Sequence, residues 1–169
     1  MESVDHGIRP DAGETRLDAL QRHAFAYFLN ETNVANGLVA DRTQPGAPAS
    51  IAAVGFALAA YPVGVERGWM TRSDAIERTL ALVRFFWTSQ QGTAPTATGY
   101  RGFYYHFLDM TTGARAGQCE LSTVDTSFLL AGMLAAAVYF NHDSEAEQAT
   151  TCWACPWRRA CSILHSVCC

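Results

Sequence analysis

From Thr15 onward, apolar positions recur at three- and four-residue steps. Leu17, Leu20, Ala24 and Phe28, with Phe25 and Tyr27 beside them, form the apolar side of an amphipathic helix. Thr15 or Asp18 offers a side-chain oxygen to its first free N–H groups, and Asn33, Asn36 and Gly37 close it. A second apolar stretch, IAAVGFALAAYPVGVERGW, follows Ser50, whose hydroxyl suits an N-cap. Its alanines and glycines favour close helix packing, and Pro62 with Gly64 is predicted to stop it. A third helix opens at Thr71 or Ser73 and runs through Ala75, Ile76, Leu80, Val83 and Phe86. Acids lie near its start and Arg78 and Arg84 further along, the favourable sense for the helix dipole. A fourth follows Ser122, with Asp125 at its third helical position in an S-x-x-D capping box. It passes through Phe128, Leu129, Met133, Leu134 and Val138 to about Phe140.

The intervening segments read differently. Residues 37–49 hold two prolines and two glycines and read as loop, as do residues 91–102. FYYHFLDM (103–110) followed by TTGARAGQ predicts a short strand-like hairpin near 103–118. No alternating series is long enough for a sheet domain, so the fold class is all-α. Three regions follow: a flexible leader at 1–14, a helical domain at 15–149, and an atypical tail rich in Cys and Trp at 150–169.

Bulk properties narrow the function classes. With 49% hydrophobic and 17% charged residues in 169, the chain has the balance of one globular domain rather than of a disordered one. A net charge of −4 and the lack of a basic run argue against nucleic acid as a partner. The longest apolar run, 128–140, falls short of the ~20 residues needed to cross a bilayer, so no membrane span is expected. Residues 1–20 are polar and acidic and do not read as a secretory signal. Of the six cysteines only Cys119 lies in the body of the chain. Cys152 and Cys155 form a C-x-x-C half-site beside Cys161, His165, Cys168 and Cys169, but no knuckle pattern surrounds them. A zinc-binding tail is therefore the last of the alternatives, and neither a cofactor nor a metal is assigned.

Several residues have the chemistry that sugar cleavage requires. Asp41, Asp109 and Glu120 sit beside aromatic or loop segments rather than on solvated helix faces. Glycoside hydrolysis needs two carboxyl groups flanking one bond, one to protonate the leaving oxygen and one to activate water or attack. Phe103, Tyr104, Tyr105 and Trp69 offer rings for the apolar faces of sugars, and Arg42, Arg101 and His106 offer donors to hydroxyls. Each has a plainer reading. Asp41 and Arg42 make a loop ion pair, Asp125 caps a helix, Asp109 forms a turn, and His106 is a packed core histidine. The chain lacks the phosphate-binding and hydrolase motifs G-x-x-x-x-G-K-[ST], G-x-G-x-x-G, H-E-x-x-H and G-x-S-x-G.

Four stretches carry a resemblance: LDALQRHAFAYFLNETNVANGLVADR (17–42), SIAAVGFALAAYPVGVERGWMTRSDA (50–75), GYRGFYYHFLDMTTGARA (99–116) and CELSTVDTSFLLAGMLAAAVYF (119–140). Together they resemble the glucoamylase-like family, which includes bacterial endo-β-1,2-glucanases and the related domain of cyclic β-1,2-glucan synthases. The resemblance covers residues 15–149. It implies an (α/α)6 toroid and action on β-linked glucans, above all β-1,2-glucan, by carboxylate general acid–base catalysis. It also implies that the segments around Asp41–Arg42, Tyr104–Asp109 and Glu120–Asp125 line the sugar-binding face. Glu120 is the first candidate catalytic carboxylate and Asp125 the second. Asp41, Arg42, Arg101, Tyr104, Tyr105, His106 and Asp109 are the candidate binding residues. Members of the family are often periplasmic or secreted, so location stays open.

A ring of twelve helices needs at least ~180–210 residues. Four helices amount to the N-terminal third to half of the toroid, so the expected alternative function is a truncated, non-catalytic fragment that at most binds carbohydrate. The tail TTCWACPWRRACSILHSVCC reads as an altered reading frame. Helix faces left without partners predict self-association.

Overall fold

The computed structural model describes residues 12–141 together with Ala146. Residues 1–11 of the leader and the tail at 150–169, with the zinc alternative, lie outside the described residues. The described residues form four helices: α1 (Ala12–Asn30), α2 (Ile51–Glu66), α3 (Arg72–Thr88) and α4 (Thr123–Tyr139). Helix α1 starts at Ala12, ahead of the expected Thr15.

Local capping chemistry explains the other helix starts. Ser50 accepts from the Ala53 N–H at 3.5 Å, Thr71 from the Asp74 N–H at 3.1 Å, and Ser122 from the Asp125 N–H at 3.1 Å. Between the two expected caps of α3, Thr71 is the one used. Helix α2 departs from expectation, because Pro62 lies inside it and the helix runs on to Glu66. A proline in a helix interior costs about 3 kcal/mol. Tyr61 and Leu58, both fully buried, each return roughly 1.5–3 kcal/mol of apolar burial. Packing therefore overrides the local break. The helix ends one turn later in a Schellman motif, in which Gly68 takes φ 67°. There the Gly68 N–H donates to Val65 C=O at 3.0 Å and the Trp69 N–H to Gly64 C=O at 2.8 Å.

Five short strands connect the helix starts: β1 (Ala49–Ser50), β2 (Gly99–Tyr100), β3 (Phe103–Tyr105), β4 (Phe107–Leu108) and β5 (Leu121–Ser122). Antiparallel pairing gives one sheet in the order β2-β3-β5 and a second of β1 with β4. The expected hairpin is present: Leu108 bridges Arg115, and the Asp109 N–H donates to Ala114 C=O at 2.8 Å. Its strand also pairs outward, with Ser50 ahead of α2 and with Ser122 ahead of α4. Residues 103–108 thus run across the N-termini of both helices.

Helices α2 and α4 pack with their backbones in contact. A Cβ on Gly132 would lie 2.1 Å from the Gly55 carbonyl oxygen, and one on Gly55 would lie 2.4 Å from that of Phe128. Around this crossing Val54, Leu58, Leu129, Met133 and Ala136 are buried. On their other sides the same helices expose Phe56 and Val63 on α2, and Val124, Phe128, Leu134 and Val138 on α4. The Phe56 and Phe128 rings meet at 5.2 Å. A contiguous apolar face of this kind drives association in water. The 169-residue chain is expected to self-associate at micromolar concentration, and Phe128→Ser combined with Val138→Ser to shift it toward monomer in sedimentation. A wild-type chain that sediments as a monomer throughout would contradict this.

Candidate functional site

The site lies where the strand segment crosses the start of α4. The His106 N–H donates to the Glu120 carbonyl at 3.0 Å, and the His106 carbonyl accepts from the Ile51 N–H, the first of α2, at 3.3 Å. His106 is thereby tied to both neighbouring segments through its backbone. Its side chain faces two carboxylates: Nδ1 lies 3.4 Å from Glu120 Oε1 and 3.3 Å from Asp125 Oδ2. One ring nitrogen carries at most one proton, so the two carboxylates compete for a single donor. The Glu120 side chain is 73% exposed and that of Asp125 15%, which places Glu120 at the open side of the cluster and Asp125 at its floor.

Asp125 therefore has two roles that the sequence leaves as alternatives. Its backbone N–H completes the Ser122 cap, while its carboxylate turns to His106. The Glu120 carboxyl is held below the usual glutamate range, first by a hydrogen bond from its own backbone N–H and next by the one from His106. The positive charges of His106 and Arg115 act in the same direction. Glu120 is ionised at neutral pH and exposed, a combination that suits an acceptor of a water proton or of a sugar hydroxyl.

The remaining candidates are distributed around this cluster. Tyr104 turns inward, its ring 4.9 Å from that of Phe86 and its hydroxyl donating to the Phe86 carbonyl at 3.4 Å. Burial pushes its phenol above the usual value. Tyr105 is buried beneath the Arg115 guanidinium, which lies 4.4 Å over its ring. Arg101 occupies the β2–β3 turn with φ 53°, followed by Gly102 at 85°, and stands 5.2 Å over the Tyr100 ring. Asp41 and Arg42 pair with each other at 3.4 Å. With the guanidinium 60% exposed, that pair contributes little to stability.

Asp109 is built into the hairpin turn. Its Oδ1 accepts from the Thr111 N–H at 3.0 Å, the Thr112 N–H at 2.8 Å and the Thr112 hydroxyl at 2.8 Å. These bonds, those from Thr112 foremost, hold its carboxyl below the ordinary value of 3.8. A lowered folded-state value means that the stabilisation is complete above 3.8 and fades as pH falls through the folded value. Asp109→Ala is expected to lower stability by about 1 kcal/mol at pH 6. Urea unfolding should show that difference shrinking toward pH 2, and a difference that stays constant with pH would contradict the assignment.

Two contributors escape the sequence reading, Arg115 and Cys119. The Cys119 thiol donates to the Phe107 carbonyl at 3.2 Å and accepts from the Phe107 N–H at 3.4 Å. Arg115 sits in a segment whose composition reads only as turn, and Cys119 directly follows that segment. Among the described residues a separate groove of 360 Å³ runs between α1 and α3, lined by Leu29, Thr32, Trp69, Met70, Glu77 and Arg78. It contains none of the candidate residues except Trp69.

No family model matches the chain. It is similar to an exo-β-1,2-glucooligosaccharide sophorohydrolase acting at the non-reducing end, from Parabacteroides distasonis. The two are 33% identical over 154 residues, which is 87% of this chain and 20% of that protein. A protein of Bacteroides uniformis described as a glucoamylase superposes with a TM-score of 0.74 at 29% identity, over 86% of this chain and 35% of its own. An endo-β-1,2-glucanase of Chitinophaga pinensis, solved with sophorotriose and glucose, shares the fold with a TM-score of 0.71 at 24% identity, over 85% of this chain and 35% of its own. The chain is thus similar to these proteins, as its motifs imply, and its four helices match part of their α/α toroid fold. It spans about a fifth of the curated relative's length and about a third of the solved chains it matches.

Proposed function

We propose that residues 15–141 form one wall of a β-1,2-glucan cleft in a glycoside hydrolase, with Glu120 and Asp125 as its carboxylates. The observation that carries this reading is the convergence of both carboxylates on His106 Nδ1. Glu120, ionised and exposed, takes the role of base or hydroxyl acceptor. Asp125 is the second carboxylate at the floor, and the shared imidazole orients the pair. His106, Arg101 and Arg42 supply donors for sugar hydroxyls. Tyr104 and Tyr105 support the site from below, since both rings are turned into the protein. The sophorohydrolase and the endo-β-1,2-glucanase named above act on β-1,2-linked glucose chains, which makes sophorose-series oligosaccharides the ligands to test first.

One observation favours a second reading, a carbohydrate-binding piece without turnover: the chain matches only a fraction of each relative's length. Incubating the 169-residue protein with linear β-1,2-glucan separates the two readings. Release of short oligosaccharides supports the hydrolase. Saturable binding of sophorotriose without release supports the binding piece. Neither binding nor release would sink both.

A further inference from the structure

The Glu120 side chain is exposed, and the backbone just before it is gripped by Arg115. The Arg115 Nε donates to the Cys119 carbonyl at 2.6 Å, and its guanidinium carbon lies over the Tyr105 ring, 4.4 Å from its centre. Its backbone is fixed as well, with the N–H donated to the Ala97 carbonyl at 3.2 Å and a bridge to Leu108. The carbonyl it grips belongs to the residue directly before Glu120. From the other side, the Cys119 thiol bonds both backbone groups of Phe107, the residue directly after His106. Arg115 and Cys119 therefore fasten the segment carrying Glu120 to the strand carrying His106. We infer that Arg115 is a positioning residue, which holds the Cys119–Glu120 peptide so that Glu120 faces His106.

A planar guanidinium suits this task. It presents Nε to the carbonyl while it lies over an aromatic ring, and an ammonium on a flexible stem cannot do both. The inference rests on the reading of Glu120 as a functional carboxylate, but its test requires no turnover. Glu120 is followed by carbon NMR of its carboxyl through a pH titration of the full chain. Arg115→Met removes the donor and the charge and keeps a stem over Tyr105. Arg115→Lys keeps the charge and loses the fixed Nε.

If Arg115 positions Glu120, the Glu120 carboxyl titrates at higher pH in both variants, because the hydrogen bond from His106 is no longer held. Exchange of the His106 amide, which is donated to the Glu120 carbonyl, should also speed up about five- to tenfold. A wild-type Glu120 titration in Arg115→Lys would overturn the inference and reduce Arg115 to a distant charge. Unchanged titration in both variants would overturn it outright. Should Arg115→Met fail to fold, the lysine variant carries the test alone. Failure of the glucan reading shows separately, as absent binding and turnover in a chain whose Glu120 still responds to Arg115.

Discussion

Glu120→Gln is expected to lower the release of oligosaccharides from β-1,2-glucan by about 10²–10⁴-fold, the usual contribution of one acid or base. The substitution keeps the shape of the side chain and its ability to accept a hydrogen bond, so the fold and the His106 contact survive. It removes the negative charge, and with it the capacity to take a proton. Loss of turnover with sugar binding intact would locate the effect in chemistry. In the wild type the low carboxyl value has a definite sign. The Glu120 carboxyl is lowered from the ordinary 4.5, so the acid limb of the pH–rate profile should lie below that value. An acid limb near neutrality would assign the limiting group elsewhere. Full activity in Glu120→Gln would remove Glu120 from the mechanism altogether.

The second large effect concerns stability. Gly132→Ala is expected to destabilise the chain by about 2–4 kcal/mol. The added methyl would meet the Gly55 carbonyl oxygen at 2.1 Å, and backbone atoms of two packed helices have no rotamer by which to yield. Relief requires α2 and α4 to separate, which opens a cavity around Leu58, Leu129 and Met133. Urea unfolding measures the loss. Because α2 holds the His106 carbonyl and α4 carries Asp125, the same substitution should also loosen the cluster. Gly46→Ala provides the contrast, since a Cβ there meets no atom within 4 Å. It should cost only the strain of its φ of 78°. A Gly132→Ala chain as stable as wild type would show that the two helices do not touch as described.

The parts of this fold that can be read from the sequence are those decided locally. Ser50, Thr71 and Ser122 announce helix starts because each bonds an N–H three residues ahead. Asp109 announces a turn for the same reason. Pro62 misleads because its local cost is offset by burial of Leu58 and Tyr61, whose partners lie far away in sequence. The site divides along the same line. Glu120, Asp125 and His106 are each recognisable as chemistry, but their meeting is not, because it depends on β3 pairing with β5. Arg115 was invisible in its Gly-Ala-Arg-Ala setting, since its partners, the Cys119 carbonyl and the Tyr105 ring, are set by the hairpin.

The glycine crossing of α2 and α4 also limits how such a chain can change length. An α-helix turns by about 100° per residue, so one residue inserted between Ser122 and Gly132 would swing the notch off Gly55 and present a side chain instead. Asp125 lies seven residues before Gly132, close to two full turns, and so stays on nearly the same side of the helix. An insertion that spared the notch by slipping α4 as a whole would carry Asp125 away from His106. The eleven-residue span from cap to notch therefore behaves as a ruler of fixed length.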